Sequence, residues 1–147
     1  MDITVRAAVD RDLPAVHALY QQLYAELDLP LDDRARGQWA DTLATPRRTV
    51  LLAEADGVPV GTADVTVMAN AARARPYLLV ENVVVDAAHR GRGIGRALLD
   101  AARERARAAG CYKVQLSATE DSAYAFYEAA GMQDGGRTFK DYVPEGC

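Results

Sequence analysis

Apolar residues recur along this chain with two different periods, which predict a mixture of strands and helices. A period of two over residues 3 to 7 predicts a first strand. From residue 13 onward the apolar positions follow a helical spacing, and Pro30 disfavours helical dihedral angles at the residue before it. We therefore predict one helix over residues 13 to 28 and a second over residues 32 to 44.

Three strands are predicted in the middle of the chain. Residues 49 to 55 and 58 to 68 flank Asp56-Gly57, a dipeptide that favours a type I′ hairpin, so these strands should be antiparallel neighbours. Residues 77 to 85 form a near-continuous apolar run, which is typical of a strand covered on both faces. Glu81 interrupts this run. A carboxylate there would lose hydration, so we expect it at a cleft, paired, or less easily ionised.

The C-terminal half predicts a helix over residues 93 to 109 and a strand over residues 112 to 118. With the strand before them they make a βαβ unit, so residues 77 to 85 should run parallel to the new strand. A short helix should end at Gly131, and residues 133 to 142 predict a last hairpin. This order indicates an α/β fold with a mixed sheet.

Length and composition restrict the class of protein. A chain of 147 residues with 50% hydrophobic residues can form one core, so we expect a single domain over residues 1 to 147. The N-terminus has no basic segment before an apolar core, and no apolar run approaches the roughly 20 residues of a membrane span. We expect a cytoplasmic protein without a membrane partner. Cys111 and Cys147 form no metal-ligand spacing, nor do the two histidines, so we predict no metal.

A glycine-rich turn with three arginines follows the valine-rich strand. Glycines let the backbone approach a ligand, and the first amides of a helix have no intrahelical acceptor, so such a turn can hold a phosphate. From residue 90 to residue 107, six arginines oppose two acids, which gives +4 in a chain of net charge −4. A duplex needs many spread phosphate contacts, so the local charge indicates a small polyanion rather than a nucleic acid.

Three kinds of phosphate-binding loop compete for this turn. The P-loop needs Gly-Lys-Ser/Thr, whereas Gly95 is followed by Arg96 and Ala97, which excludes it. The dinucleotide fingerprint G-x-G-x-x-G lacks its third glycine. The sequence Arg-Gly-Arg-Gly-Ile-Gly over residues 90 to 95 resembles the Arg/Gln-x-x-Gly-x-Gly/Ala pyrophosphate loop of the GNAT family of N-acetyltransferases. A plain chain reversal is the other alternative, and it leaves the arginines unexplained.

A second block is similar to another signature of the same family. Residues 123 to 132 read Ala-Tyr-Ala-Phe-Tyr-Glu-Ala-Ala-Gly-Met and resemble Ala-x-x-Phe-Tyr-x-x-x-Gly-Phe. Met132 replaces the usual aromatic residue, and Glu120 stands where many members have Asn. Considered alone, Phe126 and Tyr127 would be core aromatics at helical spacing. The resemblance implies instead that Tyr127 lies beside the thioester sulfur and acts as general acid.

The resemblance covers residues 77 to 132 by motif. It implies a GNAT-type fold, in which a central, mostly antiparallel sheet contains one parallel strand-helix-strand unit and splayed strands, with flanking helices. It also implies an N-acetyltransferase that takes acetyl from the co-substrate acetyl-CoA and transfers it by direct attack to a primary amine of a small molecule.

The resemblance assigns candidate site residues as well. The pyrophosphate would be bound by the turn, that is by Arg90, Gly91, Arg92, Gly93, Ile94, Gly95 and Arg96. The pantetheine arm would pair with the main chain of Val83, Val84 and Val85, as an added strand pairs with a sheet edge. Glu81 stands where a base would meet the thioester, and an amide near Val83 could stabilise the oxyanion.

The acceptor is less constrained. Glu26 and three nearby aspartates form an acidic stretch that is either solvated or attracts a cationic amine. The resemblance implies that this stretch helps to form the acceptor site, with Tyr24 and Glu26 as candidates and Tyr142 near the same site. The loop with Arg73 and Arg75 could meet an anionic part of the acceptor or face water.

Two other functions stay open at this point. One is a non-catalytic module that binds or senses acyl-CoA, and the other is an acetyltransferase that acts on a protein amine. A homodimer is compatible with the family resemblance, and the sequence offers no independent sign of it.

Overall fold

A computed structural model describes residues 1–145, so Cys147 lies outside the described residues. The chain divides into two compact units, Met1–Leu116 and Ser117–Cys147. The first unit contains a five-stranded sheet whose strands follow the chain order: β1 (Ile3–Ala7), β2 (Arg48–Ala55), β3 (Val58–Met68), β4 (Tyr77–Val85) and β5 (Val114–Leu116). Neighbours from β1 to β4 are antiparallel, and β4 and β5 are parallel. The predicted mixed α/β sheet is confirmed.

Three α-helices belong to this unit: α1 (Leu13–Leu23), α2 (Asp33–Ala44) and α3 (Ile94–Ala108). The prediction that α1 continues to about residue 28 is wrong. The amide of Gln21 donates to the carbonyls of Tyr24 (3.3 Å) and Leu27 (2.6 Å), and its oxygen accepts from the N–H of Leu29 at 3.0 Å. These bonds stabilise a turn in place of further helix, because a side chain satisfies main-chain groups that a helix would pair.

Each face of the sheet carries its own core. Helix α3 packs on one face, where Leu51, Val65 and Ile94 belong to a single buried cluster. Helices α1 and α2 cover the other face around Val16 and Trp39. The sheet is therefore buried on both sides, as the continuous apolar run of β4 predicts.

The β2–β3 hairpin turns at Asp56 and Gly57, whose φ angles of 50° and 81° are those of a type I′ turn. The register of the pair shifts between Ala53 and Glu54. This irregularity interrupts the alternation of β3, because a bulge moves the following side chains to the other face. Val60 consequently packs in the α3 core, although strict alternation predicts it on the face of Thr62.

Helix α3 approaches β3 closely. A Cβ atom on Gly61 would lie 3.0 Å from a methyl carbon of Ile94 and 3.2 Å from one of Leu98. At the other end of the helix, the guanidinium of Arg105 donates to the hydroxyl of Thr49 at 3.1 Å. This contact explains why an arginine stands beside the apolar face of α3.

The second unit contains helix α4 (Asp121–Ala129), which ends before Gly131 as predicted. The predicted last hairpin is wrong, since residues 133 to 142 contain no strand. The aromatic side chains that would have packed such a hairpin are largely exposed, Phe139 by 88% and Tyr142 by 82%. Without a buried face, a strand pair gains little stability.

The helices found in residues 1–145 are too short or too polar to cross a bilayer.

Candidate functional site

The turn between β4 and α3 has the geometry of an anion site. Gly91 and Gly93 have φ angles of 76° and 88°, a region that L-residues other than glycine adopt only at a cost. The first helical bond runs from the N–H of Ala97 to the carbonyl of Gly93 at 3.0 Å. Within residues 1–145, the amides of residues 91 to 96 donate to no main-chain carbonyl. Several N–H groups are therefore free to bind an anion.

The strand that leads into this turn has an open edge. β5 pairs only with Leu78–Val80 of β4, and in the described chain no strand continues that pairing along residues 81 to 85. Val84 is buried, while Val83 and Val85 are half-buried. Main-chain groups on this edge are thus available to pair with an extended ligand, although the carbonyl of Val85 accepts a hydrogen bond from Nε of Arg90 at 3.3 Å.

A β-bulge lies in the middle of β4. Thr62 faces Val84 and Asp64 faces Glu81, so two residues of β4, Asn82 and Val83, lie opposite one residue of β3. Asn82 has a φ angle of 52°. Such a bulge bends the strand and redirects its side chains, and bulges often lie near functional sites.

Glu81 is exposed, so the predicted loss of hydration at its carboxylate is wrong. Glu81 is exposed because the neighbouring strand β5 is short. β5 pairs no further along β4 than Val80, and the bulge begins directly after Glu81. The carboxylate is accessible to solvent.

A partly buried ion pair, which was not predicted from the sequence, lies beside Glu81. Asp64 is 2% exposed and accepts hydrogen bonds from Arg48, at 3.0 and 3.2 Å from Nε and 2.5 Å from Nη2. Asp64 and Glu81 face each other across β3 and β4, so their Cβ atoms lie roughly 5 Å apart on one face. The hydrogen bond to Asp64 is the main cause that raises the pKa of Arg48, and the charge of Glu81 contributes. An acid inside the apolar β3 run was the available signal.

Helix α1 contributes two tyrosines to the same face. Tyr20 is largely buried, and burial followed by the charge of Asp64 raises its pKa. Tyr24 is exposed, and its hydroxyl donates to the side-chain oxygen of Asn82 at 3.1 Å. Glu26 lies in the turn after α1 and is exposed. The structure therefore joins Tyr24 directly to the bulge, next to Glu81.

A second group of side chains connects α1 to the start of the turn. Gln22 donates to Asp86 at 2.8 Å and accepts from the N–H of Ala87 at 2.9 Å. The other carboxylate oxygen of Asp86 lies 2.6 Å from Nδ1 of His89. The bond from Gln22 and then that with His89 lower the pKa of Asp86. Among residues 1–145, no group of three or more His, Cys, Asp or Glu side chains could hold a metal ion.

Two predicted site residues belong to the second unit. The ring of Tyr127 stacks on that of Phe126, with centroids 5.1 Å apart and planes inclined by 22°. Burial raises the pKa of Tyr127. Tyr142 is strongly exposed. Their roles stay predictions.

The sequence profile described as "Acetyltransferase (GNAT) family" matches residues 13–132, and this chain belongs to that family. The predicted family is therefore confirmed.

Individual proteins agree with this assignment. The chain is 38% identical to a candidate acetyltransferase from Agrobacterium tumefaciens str. C58, with a TM-score of 0.89 over 95% of this chain and 99% of that one. It is 33% identical to aminoglycoside N(6′)-acetyltransferase type 1 of Stenotrophomonas maltophilia over 137 residues, which are 89% of this chain and 86% of that protein.

A third similarity is more local. The chain is 46% identical to glucosamine 6-phosphate N-acetyltransferase of Trypanosoma brucei brucei over 54 residues. The match spans 37% of this chain and about a third, 36%, of that protein's length.

Proposed function

We propose that this protein is an N-acetyltransferase that transfers acetyl from acetyl-CoA directly to a primary amine of a small molecule. The observation that carries the proposal is the joint presence, at one end of β4, of free turn amides and an open strand edge. Coenzyme A needs both, because it has a pyrophosphate and an extended amide-containing arm. The names of two relatives describe the acetylation of small-molecule amines, which supports the acceptor class.

The turn supplies the binding energy for the cofactor's pyrophosphate. Its amides donate to the phosphate oxygens, and Arg90 and Arg92 add positive charge. Arg96 forms an ion pair with Asp100 at 3.2 Å, so its contribution is partly neutralised. The arm then pairs with Val83, Val84 and Val85, and this placement brings the thioester towards Glu81.

Glu81 acts as the general base, directly or through a water molecule. A primary amine with a lysine-like pKa is protonated at neutral pH, with only about one part in 10³ free to attack. The carboxylate takes one proton from the ammonium group and passes it to bulk water, so that the free amine nitrogen can attack the thioester carbonyl carbon. As the C–N bond forms, the carboxylate accepts the second proton that the nitrogen loses, and it releases this proton to water with the products. An amide near Val83 stabilises the oxyanion.

The C–S bond breaks when the intermediate collapses, and the thiolate takes a proton from Tyr127. The raised pKa of this tyrosine keeps its phenol protonated at neutral pH, as an acid requires. Bulk water returns the proton to Tyr127 after release of coenzyme A.

Arg48 is the positioning residue for the base. Asp64 carries a buried carboxylate directly opposite Glu81, and two facing carboxylates repel each other. The guanidinium that binds Asp64 compensates this charge, so that the carboxylate of Glu81 does not face an unpaired negative charge.

The proposal is tested by thiol release from acetyl-CoA with a panel of aminoglycosides, amino sugars and amino acids, together with coenzyme A binding by calorimetry. We expect binding and amine-dependent release. Tyr127→Phe should lower kcat by about 10²-fold without weakening coenzyme A binding. Tyr124→Phe, an exposed tyrosine on the same helix, is the matched control and should leave kcat unchanged.

Two results would contradict the proposal. Coenzyme A binding without release for any amine would favour an acyl-CoA-sensing module. Acetylation of a protein amine, with no activity on the small-molecule panel, would replace the proposed acceptor class.

A further inference from the structure

Five cations lie at the end of the sheet opposite the phosphate turn. Arg47 precedes β2, Arg73 and Arg75 lie between β3 and β4, Arg105 is in the last turn of α3, and Lys113 precedes β5. We refer to these five residues as the basic end. The chain as a whole has a net charge of −4, so this is a local reversal of sign.

Aromatic rings hold two of these cations. The guanidinium carbon of Arg73 lies 4.5 Å from the centroid of the Tyr112 ring. The Nζ of Lys113 lies 5.4 Å from the same ring and 5.1 Å from that of Tyr77. The two rings contact each other edge to face at 6.4 Å. A cation on a ring face keeps its charge, so the arrangement orders positive charge without neutralising it.

Main-chain carbonyls hold a third cation. Arg75 donates from Nε to the carbonyl of Gly110 at 3.3 Å and from Nη2 to that of Cys111 at 3.2 Å. Burial raises the pKa of the Cys111 thiol, whereas the charges of Arg47 and Arg75 act in the opposite direction. Both guanidinium groups therefore lie near the same thiol.

The absence of carboxylate partners distinguishes the basic end from six other arginines of the first unit. Arg6, Arg36, Arg48, Arg96, Arg103 and Arg107 each lie within ion-pair distance of an Asp or Glu. Within residues 1–145, no ion pair to a carboxylate is formed by any of the five cations of the basic end. Arg90 and Arg92 of the phosphate turn share this property. Like charges that are brought together without a counter-charge repel, and a bound anion removes that repulsion.

An open cavity of about 350 Å³ lies at this end of the sheet, beside two of the five cations. Its lining includes the side chains of Arg47 and Arg75, with Asn70, Pro76 and three alanines. The small apolar residues leave room beside the guanidinium groups. The cavity has the size of a small organic molecule, and its charged groups suit an anionic substituent.

We propose that the basic end is a second anion-binding site, which takes a small molecule that carries a phosphate group. Guanidinium groups bind phosphate oxygens in pairs, and several cations favour a dianion over a single carboxylate. β4 spans nine residues between the two sites, so they lie about 25 Å apart and one pyrophosphate cannot fill both. Five cations at one end of the sheet, of which Arg47 and Arg75 line the cavity, are too few and too localised to follow a nucleic acid.

The test is a calorimetric titration of the full chain after saturation with coenzyme A, which blocks the phosphate turn. Inorganic phosphate is added first, and glucose 6-phosphate in a separate titration. We expect saturable binding with one site per chain. Equal affinity for the two probes identifies free phosphate as the ligand, whereas tighter binding of the ester identifies a phosphorylated metabolite, and both results support the site.

Arg47→Gln is the informative variant, since the Arg47 side chain forms no hydrogen bond within residues 1–145 and its loss should not unfold the protein. We expect phosphate to bind about tenfold more weakly, the loss of one charged hydrogen bond. Arg11→Gln is the matched control, because Arg11 is an exposed arginine next to α1, remote in the chain from the basic end, and should leave phosphate affinity unchanged.

Phosphate affinity is also measured for Arg75→Gln. Because Arg75 donates hydrogen bonds to two main-chain carbonyls, the melting temperature of this variant is recorded as well, to detect a loss of stability. The proposal is overturned if coenzyme A-saturated protein shows no saturable phosphate binding, or if Arg47→Gln and Arg11→Gln weaken it equally. Binding of polyglutamate without any binding of phosphate would overturn it too, in favour of an acidic protein partner.

Discussion

The two ends of β4 both concentrate arginines that lack carboxylate partners, but they are built from different parts of the chain. At the end near Val85, the donors are main-chain amides that glycines leave accessible. At the end near Tyr77, the donors are side chains ordered by rings and carbonyls. A main-chain site depends on backbone conformation and a side-chain site on residue identity, so substitutions should affect the two ends in different ways.

The largest expected effect lies at neither end but between them, at Glu81. Glu81→Gln removes the proposed base and should lower kcat by about 10²-fold or more, while coenzyme A affinity stays unchanged. Steady-state kinetics across pH, with calorimetry for binding, measures both. Glu104→Gln is the control, because this exposed glutamate lies on α3 and forms an ion pair with Arg107. Unchanged kcat in Glu81→Gln would mean that the base lies elsewhere.

A smaller effect should follow from the backbone of the turn. Gly93→Ala places a Cβ at a φ angle of 88°, which costs roughly 1–2 kcal/mol, so coenzyme A should bind about tenfold more weakly if the turn relaxes to avoid the strain. Gly57→Ala is a matched control with a φ angle of 81° in the β2–β3 hairpin, and it should reduce stability but not affinity. Equal coenzyme A affinities in the two variants would argue against binding by the turn.

Arg48→Gln should change the pH dependence of the reaction. Without the guanidinium, the buried carboxylate of Asp64 repels the ionised form of Glu81, so the acid limb of kcat/KM should move to higher pH. The double variant Arg48→Gln/Asp64→Asn removes the repulsion and should return the limb towards its original position. A purely structural role for the ion pair predicts lower stability in Arg48→Gln with no shift of the limb.

Gly61→Ala tests the scaffold that holds the turn in place. The added methyl would lie 3.0 Å from Ile94 and 3.3 Å from the carbonyl of Val84, and overpacking of this kind costs about 1–3 kcal/mol. Chemical denaturation should show this loss. Gly37→Ala in α2 is the control, because a Cβ there contacts nothing within 4 Å and the helix should become more stable.

The smallest expected effect concerns Asp12, far from both ends of β4. Its hydrogen bonds with Arg6 are the main cause that lowers its pKa from 3.8 to about 2. A lowered pKa in the folded state stabilises the protein above pH 3.8, and the contribution disappears as pH falls through about 2. Asp12→Asn should therefore lower the free energy of unfolding at pH 7 and reduce its decline between pH 4 and pH 2. Parallel pH profiles for the two proteins would contradict this.

Much of the fold could be predicted from the sequence because the signals were local. The period of β1, the Asp56-Gly57 turn and the glycine after α4 each depend on neighbouring residues. The end of α1 could not be predicted in this way, since it depends on the side chain of Gln21 bonding three main-chain groups. Val60 was placed on the wrong face because a bulge changes the alternation without a mark in the sequence.

In the candidate site, too, local features could be predicted from the sequence and features that depend on distant residues could not. The phosphate turn was visible as a contiguous motif. The Arg48–Asp64 pair joins residues 16 positions apart on different strands, so the acid inside the β3 run is visible locally but its partner is not. The exposure of Glu81 depends on how far β5 pairs along its neighbour, and the predicted strand over residues 112 to 118 was longer than the observed Val114–Leu116.

The short β5 has a consequence for the protein when no ligand is bound. An unpaired strand edge is a template on which another chain can add a strand, and proteins with such edges tend to associate. Here the edge beyond Val80 is the place where the pantetheine arm would lie. Bound coenzyme A would then protect the protein from association as well as take part in the reaction. Light scattering of a concentrated protein solution should therefore rise more slowly in the presence of coenzyme A than in its absence.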